Sequence, residues 1–384
     1  MKYIQLIFIT SSAFLLLSGC WDREEINDVS LITGVAFDKT DDEKLEITIE
    51  QSIPNASSSE ARGSGGEQQT TTQSATGLSI PDALENLEKK ISREVFWSHT
   101  EVIVISKDLA RGGIRDELDF FLRHHEPRMR AYVFISRESA KDIMKLTPII
   151  ERSSSEVLKE LAEAEVLMHV TLLELLEMFQ QDGSSAAIPM IDIEKPPIKE
   201  KSLQTIAYLH RTAILEKGKF TGSVGDQVTR GMMWFTENVY ESLANIPLKN
   251  SEKYIAMRLT NGKSQLIPKI ENGQWEITLK LITDGNVLQN ESSVDLNNPD
   301  KMTKLENMLE KRMEKRLQKT LNKVQAEFQA DVLGFGEAFR RKYPEIWKKS
   351  KDNWEEIYPE VKVSFDIKSN VIRLGRGSAP KPTE

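Results

Sequence analysis

Cysteine is almost missing from this chain: 384 residues contain one, Cys20. A lone thiol excludes an intramolecular disulfide framework and any zinc site built on paired cysteines. Positive charge is not in excess either, since 51 Lys and Arg face 59 Asp and Glu for a net charge of −8. Nucleic-acid binding needs a surplus of cations to neutralise phosphates, so that class is set aside. Past the first two dozen residues, no stretch approaches the roughly 18 uncharged apolar residues of a spanning helix, which excludes a multi-pass helical membrane fold. Catalytic signatures are missing as well. There is no Gly-x-Ser-x-Gly elbow and no His-Glu-x-x-His pair. Asn261-Gly262-Lys263-Ser264 ends like a phosphate-binding loop, but Met257 stands where the leading glycine belongs. Gly334-Phe335-Gly336 lacks the third glycine of a dinucleotide fingerprint. Of the five histidines only His124 and His125 adjoin, and neighbours on a helix point about 100° apart. No catalytic residue, metal ligand or cofactor site is assigned.

What the chain does have begins at its N-terminus. Lys2 is followed by an uncharged segment from Tyr3 through Trp21, with an apolar heart from Ile4 to Leu17. That heart is short for a spanning helix and suits a secretory signal. Leu17-Ser18-Gly19-Cys20 resembles the bacterial lipobox, in which the cysteine thiol takes a diacylglyceryl group. The expected lipid attachment site is therefore Cys20, with residues 1–19 removed as a signal peptide. Two acyl chains give stable anchoring where one gives only reversible binding.

The remainder reads as α+β: three domains, each a mixed or antiparallel sheet with packed helices. Their expected limits, drawn from composition at Pro148 and Pro247, are 20–148, 149–248 and 249–384. Val29 to Asp38 and Lys44 to Ile53 form a hairpin, and Leu45, Ile47 and Ile49 alternate with Glu46, Thr48 and Glu50 as on a half-buried strand. In Pro54 to Gly77, 16 of 24 residues are Ser, Gly, Thr or Gln, and none is Leu, Ile, Val, Met or aromatic. Such a stretch buries too little to offset its ordering entropy and is expected to be a disordered loop. Ser79 is a helix N-cap, and strands over Glu101 to Ser106 and Arg130 to Ser136 each lead into a helix. Ser153 to Gln181 is helical with a break near His169-Val170-Thr171, and Ala187 to Ile193 is a strand before Pro196-Pro197. Two strands follow, Leu203 to Leu209 and Arg211 to Glu216, then a helix from Gly225 to Trp234. The last domain combines a meander with a long helix. The meander turns at Asn261-Gly262 and Asn272-Gly273, because Asn-Gly tolerates positive φ at both residues. The helix runs from Asp300 to Ala330. Its apolar stripe (Met302, Leu305, Leu309, Met313, Leu317, Leu321, Val324, Phe328) advances by three or four residues and is expected to be core. A strand over Val361 to Ile367 closes that sheet.

Gly19-Cys20-Trp21-Asp22-Arg23-Glu24-Glu25-Ile26-Asn27-Asp28 resembles the opening of the Ger(x)C spore-germination lipoproteins, the C subunits of nutrient germinant receptors. Later blocks are similar in order and spacing. The first contains Gly113-Ile114, Leu118 to Arg123, Glu126 and Arg128; the second contains Gly222, Arg230-Gly231 and Trp234. The third contains Asp331, Gly334-Phe335-Gly336, Tyr343-Pro344, Trp347 and Trp354. The resemblance implies three α+β domains and a non-enzymatic subunit on the outer face of the spore inner membrane. It also implies two partners, a multi-pass A subunit and a membrane B subunit, that trigger germination together with it in response to small nutrients. A solute-binding lipoprotein of a transporter is the alternative; it would share the anchor and size but needs two doubly wound parallel-sheet lobes.

Overall fold

The structure, a computed structural model, describes residues 29–373 apart from 53–69, 125, 147, 149–150, 181–184, 195–205, 236–237, 240–241, 248–252 and 293. Cys20, His125 and Pro196-Pro197 lie outside the described residues. The α+β class stands, and the described strands form two sheets.

The first sheet is built from β1 (Val29–Lys39), β2 (Leu45–Ser52), β3 (Thr70–Gly77), β4 (Glu94–Phe96), β5 (Val102–Ser106), β6 (Tyr132–Ser136), β7 (Ser185–Glu194), β8 (Ile206–Glu216) and β9 (Lys219–Gly225). Its order is β3-β2-β1-β5-β6-β7-β8-β9, with β4 beside the start of β1. The β1-β5-β6-β7 centre is parallel and both flanks are antiparallel. A parallel centre is covered on both faces, which is why all of Val102–Ser106 is buried. The Ile80–Glu88, Arg115–Arg123 and Leu172–Gln180 helices cover one face, and the Ala140–Met144 and Ser154–Glu163 helices cover the other.

The second sheet contains β10 (Asn238–Val239), β11 (Ser242–Pro247), β12 (Tyr254–Glu271), β13 (Gln274–Asn290) and β14 (Lys362–Arg373). The Pro299–Leu321 helix lies on it and buries Leu305, Leu309, Met313, Leu317 and Leu321 in one core with Met257, Leu259, Leu279 and Leu281. That core reaches Ala187, Ile214 and Val224 of the first sheet. The apolar stripe is thus core, as its spacing predicts.

Several expectations are corrected. Of the loop expected over Pro54 to Gly77, residues 54–69 lie outside the described residues, and Thr70–Gly77 is a strand. All eight of its positions pair with β2, from Thr70 opposite Ser52 to Gly77 opposite Leu45. An edge strand of β-branched threonines holds through its ladder, while β2 supplies the apolar side chains. β2 is not half-buried: Glu50 is 1% exposed, because the Ser154–Glu163 helix closes the face expected to meet water. Asn261-Gly262 makes no turn. β12 runs straight through it, and between the Thr260–Asp284 and Lys263–Ile282 pairs one extra residue is absorbed as a bulge. The true turn is Asn272-Gly273, with φ of 51° and 81°. The break expected at His210 is likewise a bulge within β8, which passes from Leu209 to Arg211 against consecutive residues of β7. The α-helix ends at Leu321 and continues as a π-helical turn over Asn322–Glu327. Finally, the limits drawn at 148/149 and 248/249 do not separate sheets. β6 pairs with β7 across the first, and β11 pairs with β12 across the second. A proline can stop a segment without stopping the ladder that the next segment joins.

Candidate functional site

The C-terminal block of the sequence converges on one carboxylate. After the π-helical turn the chain reverses, with Gln329 at φ 54° and Gly334 at φ 76°, and enters the Phe335–Lys342 helix. Asp331 lies at the N-terminus of that helix. Its Oδ1 accepts the Phe335 N–H at 3.0 Å, and its Oδ2 accepts the Gly336 N–H at 2.7 Å and the Trp354 Nε1–H at 3.0 Å. Burial raises the Asp331 pKa, and the N–H donors around it, including that of Gly334, oppose the rise. The helix terminus favours the negative charge.

Aromatic rings pack around this group. Trp354 stands edge-on to Trp347 at 4.9 Å, Trp275 to Phe339 at 4.6 Å, and Phe335 lies 5.8 Å from Tyr358. Gly336 is required by proximity, since a Cβ there would come within 2.9 Å of the Trp347 ring. A cleft of about 640 Å³ opens beside Asp331, between residues 264–268 of β12 and the Phe335–Lys342 helix, with Phe235, Met178 and Ser185 at its far wall. Its rim is already tied: Lys342 Nζ donates to the Pro268 carbonyl at 2.6 Å, and Glu337 holds Arg340 at 2.7 Å. With its oxygens taken up by N–H donors, Asp331 organises the aromatic cluster and is not free to act as a base.

Two further carboxylates repeat the arrangement in the first sheet, and neither stands out in the sequence. Asp38 of β1 accepts the Ala140 and Lys141 N–H groups, each at 2.8 Å. Glu50 of β2 accepts the Ser154 and Ser155 N–H groups, each at 3.0 Å, and the Thr70 hydroxyl at 3.3 Å. Each fastens a helix N-terminus to a strand about a hundred residues earlier. Burial raises the Asp38 pKa ahead of the lowering by those two N–H groups.

Residues of the other sequence blocks also make contacts that hold the fold. The Ile114 N–H donates to the Gly218 carbonyl at 2.9 Å, Leu118 and Phe121 are core, and Asp119 pairs with Arg123 at 2.7 Å. Gly222 and Gly231 leave room for Phe328 and Thr320, so the Asp226–Met233 helix can lie close on the long helix. Among the described residues no group of three or more His, Cys, Asp or Glu could hold a metal ion. His124 and His169 pack on aromatic rings, His124 against Phe120 and His169 against Tyr132.

Two family models match the chain in sequence order: "Spore germination protein N-terminal domain" over residues 22–193 and "Spore germination B3/GerAC like, C-terminal" over residues 210–375. The chain belongs to this family of spore germination proteins, the Ger(x)C family. Its relatives in Bacillus subtilis (strain 168) include spore germination protein KC, 26% identical over 95% of this chain and 94% of that protein. Spore germination protein B3 is 25% identical over 94% and 95%, and spore germination protein A3 is 27% identical over 93% and 94%. The crystal structure of the GerBC protein shares the fold, with a TM-score of 0.59 at 21% identity over 91% of this chain and all of that one. The border between the two matched regions falls between β7 and β8, yet those strands pair along ten positions. The two regions therefore share one sheet.

Proposed function

We propose that this chain is the lipid-anchored, non-catalytic C subunit of a spore nutrient germinant receptor. It is held by a diacylglyceryl group on Cys20 at the outer face of the spore inner membrane, and it works there with the membrane-embedded A and B subunits. The observation that carries this reading is the family match, which extends over residues 22–193 and 210–375 and leaves little of the chain outside it. Among the described residues no helix is long and apolar enough to cross a membrane. The second sheet, antiparallel except where β14 meets β13, does not fit the doubly wound lobes of a solute-binding lipoprotein.

Replacing Cys20 with Ala removes the acceptor thiol. In a strain lacking the A and B subunits, the Cys20→Ala chain should leave the membrane fraction. Full retention of that variant on the membrane would contradict the anchor.

A further inference from the structure

Away from the Asp331 cleft, a recess of about 680 Å³ lies where the Asp226–Met233 helix, β11, β12 and the long helix meet. Among the residues that line it are Arg230, Arg258 and Arg316, with Asp226 and Glu165. Arg230 and Asp226 satisfy each other, with Nε donating at 3.0 and 3.2 Å to the two carboxylate oxygens. Arg316 is different. Its guanidinium lies 5.2 Å from the centroid of the Trp234 ring and makes no hydrogen bond or ion pair with any described residue. Stacking on an indole holds the planar fork in place while leaving its N–H donors unused. Burial lowers the Arg316 pKa, and so does repulsion from Arg312 and Arg230, which Asp226 only partly offsets.

A second, independent feature faces the same recess. Ser242 is 6% exposed, and its Oγ is buried with no hydrogen-bond partner among the described residues. Leaving a buried hydroxyl unpaired costs roughly 1–3 kcal/mol. The β11–β12 register sets Ser242 opposite the buried Leu259, while its neighbour Leu243 and Arg258 lie on the other face of the sheet. The recess is thus lined by an unused fork of N–H donors and an unused O–H donor. A carboxylate or phosphate group is complementary to this set, because it accepts charge-assisted hydrogen bonds from both kinds of donor.

We propose that the recess binds a small oxyanion, a carboxylate or a phosphate, between the Arg316 guanidinium and the Ser242 hydroxyl. The site does not depend on the receptor reading.

The test is calorimetric titration of the full-length chain in neutral detergent with inorganic phosphate and, separately, with succinate. Ionic strength is held constant with sodium chloride. Saturable binding of either anion is expected, and which one binds identifies the group recognised. Arg316→Gln should weaken it by about tenfold or more, the loss of a charge-assisted contact. Ser242→Ala, which fills the same space without the hydroxyl and should fold normally, should weaken it severalfold. No saturable binding of either anion, or undiminished binding by the Ser242→Ala chain, would overturn the site.

Discussion

The indole Nε1–H of Trp354 donates to the Asp331 carboxylate at 3.0 Å, across 23 residues of chain. The same carboxylate caps the Phe335–Lys342 helix, so one side chain fixes both the entry of that helix and the ring on which Trp347 and Phe339 pack. Asp331→Ala should leave those donors without an acceptor and cost roughly 3–6 kcal/mol. Urea unfolding followed by tryptophan fluorescence measures it, and an unchanged midpoint would show that the carboxylate does not anchor the helix and the ring.

The long helix gives a second quantity. Leu317 is fully buried in the core shared by the helix and the second sheet. Leu317→Ala should cost about 2–5 kcal/mol, the range for a large-to-small core change. A melting temperature that does not move would mean that the stripe faces a partner instead.

The Tyr358 hydroxyl gives a prediction about pH. It is buried, without a hydrogen-bond partner among the described residues, and burial followed by the Asp331 charge raises its pKa well above the ordinary value of 10.0. Above that pH the unfolded chain releases the phenolic proton while the folded chain keeps it. The unfolded state then binds fewer protons, so this residue's contribution is level below the ordinary value and is lost progressively as pH rises beyond it. Tyr358→Phe should flatten part of that alkaline fall and cost little at neutral pH. Parallel unfolding curves for the two proteins from neutral to alkaline pH decide the matter, and a variant as alkali-sensitive as its parent contradicts the assignment.

Local periodicity carried much of the fold. The β1–β2 hairpin follows from alternation, and the buried face of the long helix follows from steps of three and four residues. Thr70–Gly77 escaped because its order comes from a ladder with β2, and ladder pairing leaves no apolar mark on the strand that joins. Asn261-Gly262 carries turn chemistry, but β13 on the far side of the bulge keeps pairing and overrides it. The capping roles of Asp38 and Glu50 could not be read locally, since their partners lie 102 to 105 residues away. Asp331, Gly336 and Trp354 stood in the sequence as parts of a recognisable block. The reason they go together, a carboxylate shared by a helix terminus and an indole, needed three dimensions.

The proposed role as a subunit of a nutrient germinant receptor makes this chain necessary for the response to nutrients. The direct measurement is the loss of optical density of spores lacking the chain, after addition of single nutrients and, separately, after a trigger that bypasses nutrient sensing. The response to at least one nutrient should disappear, the bypass response should stay intact, and restoring the chain should restore the lost response. Spores that answer every nutrient as the parent strain does, or that fail with the bypass trigger as well, would contradict it.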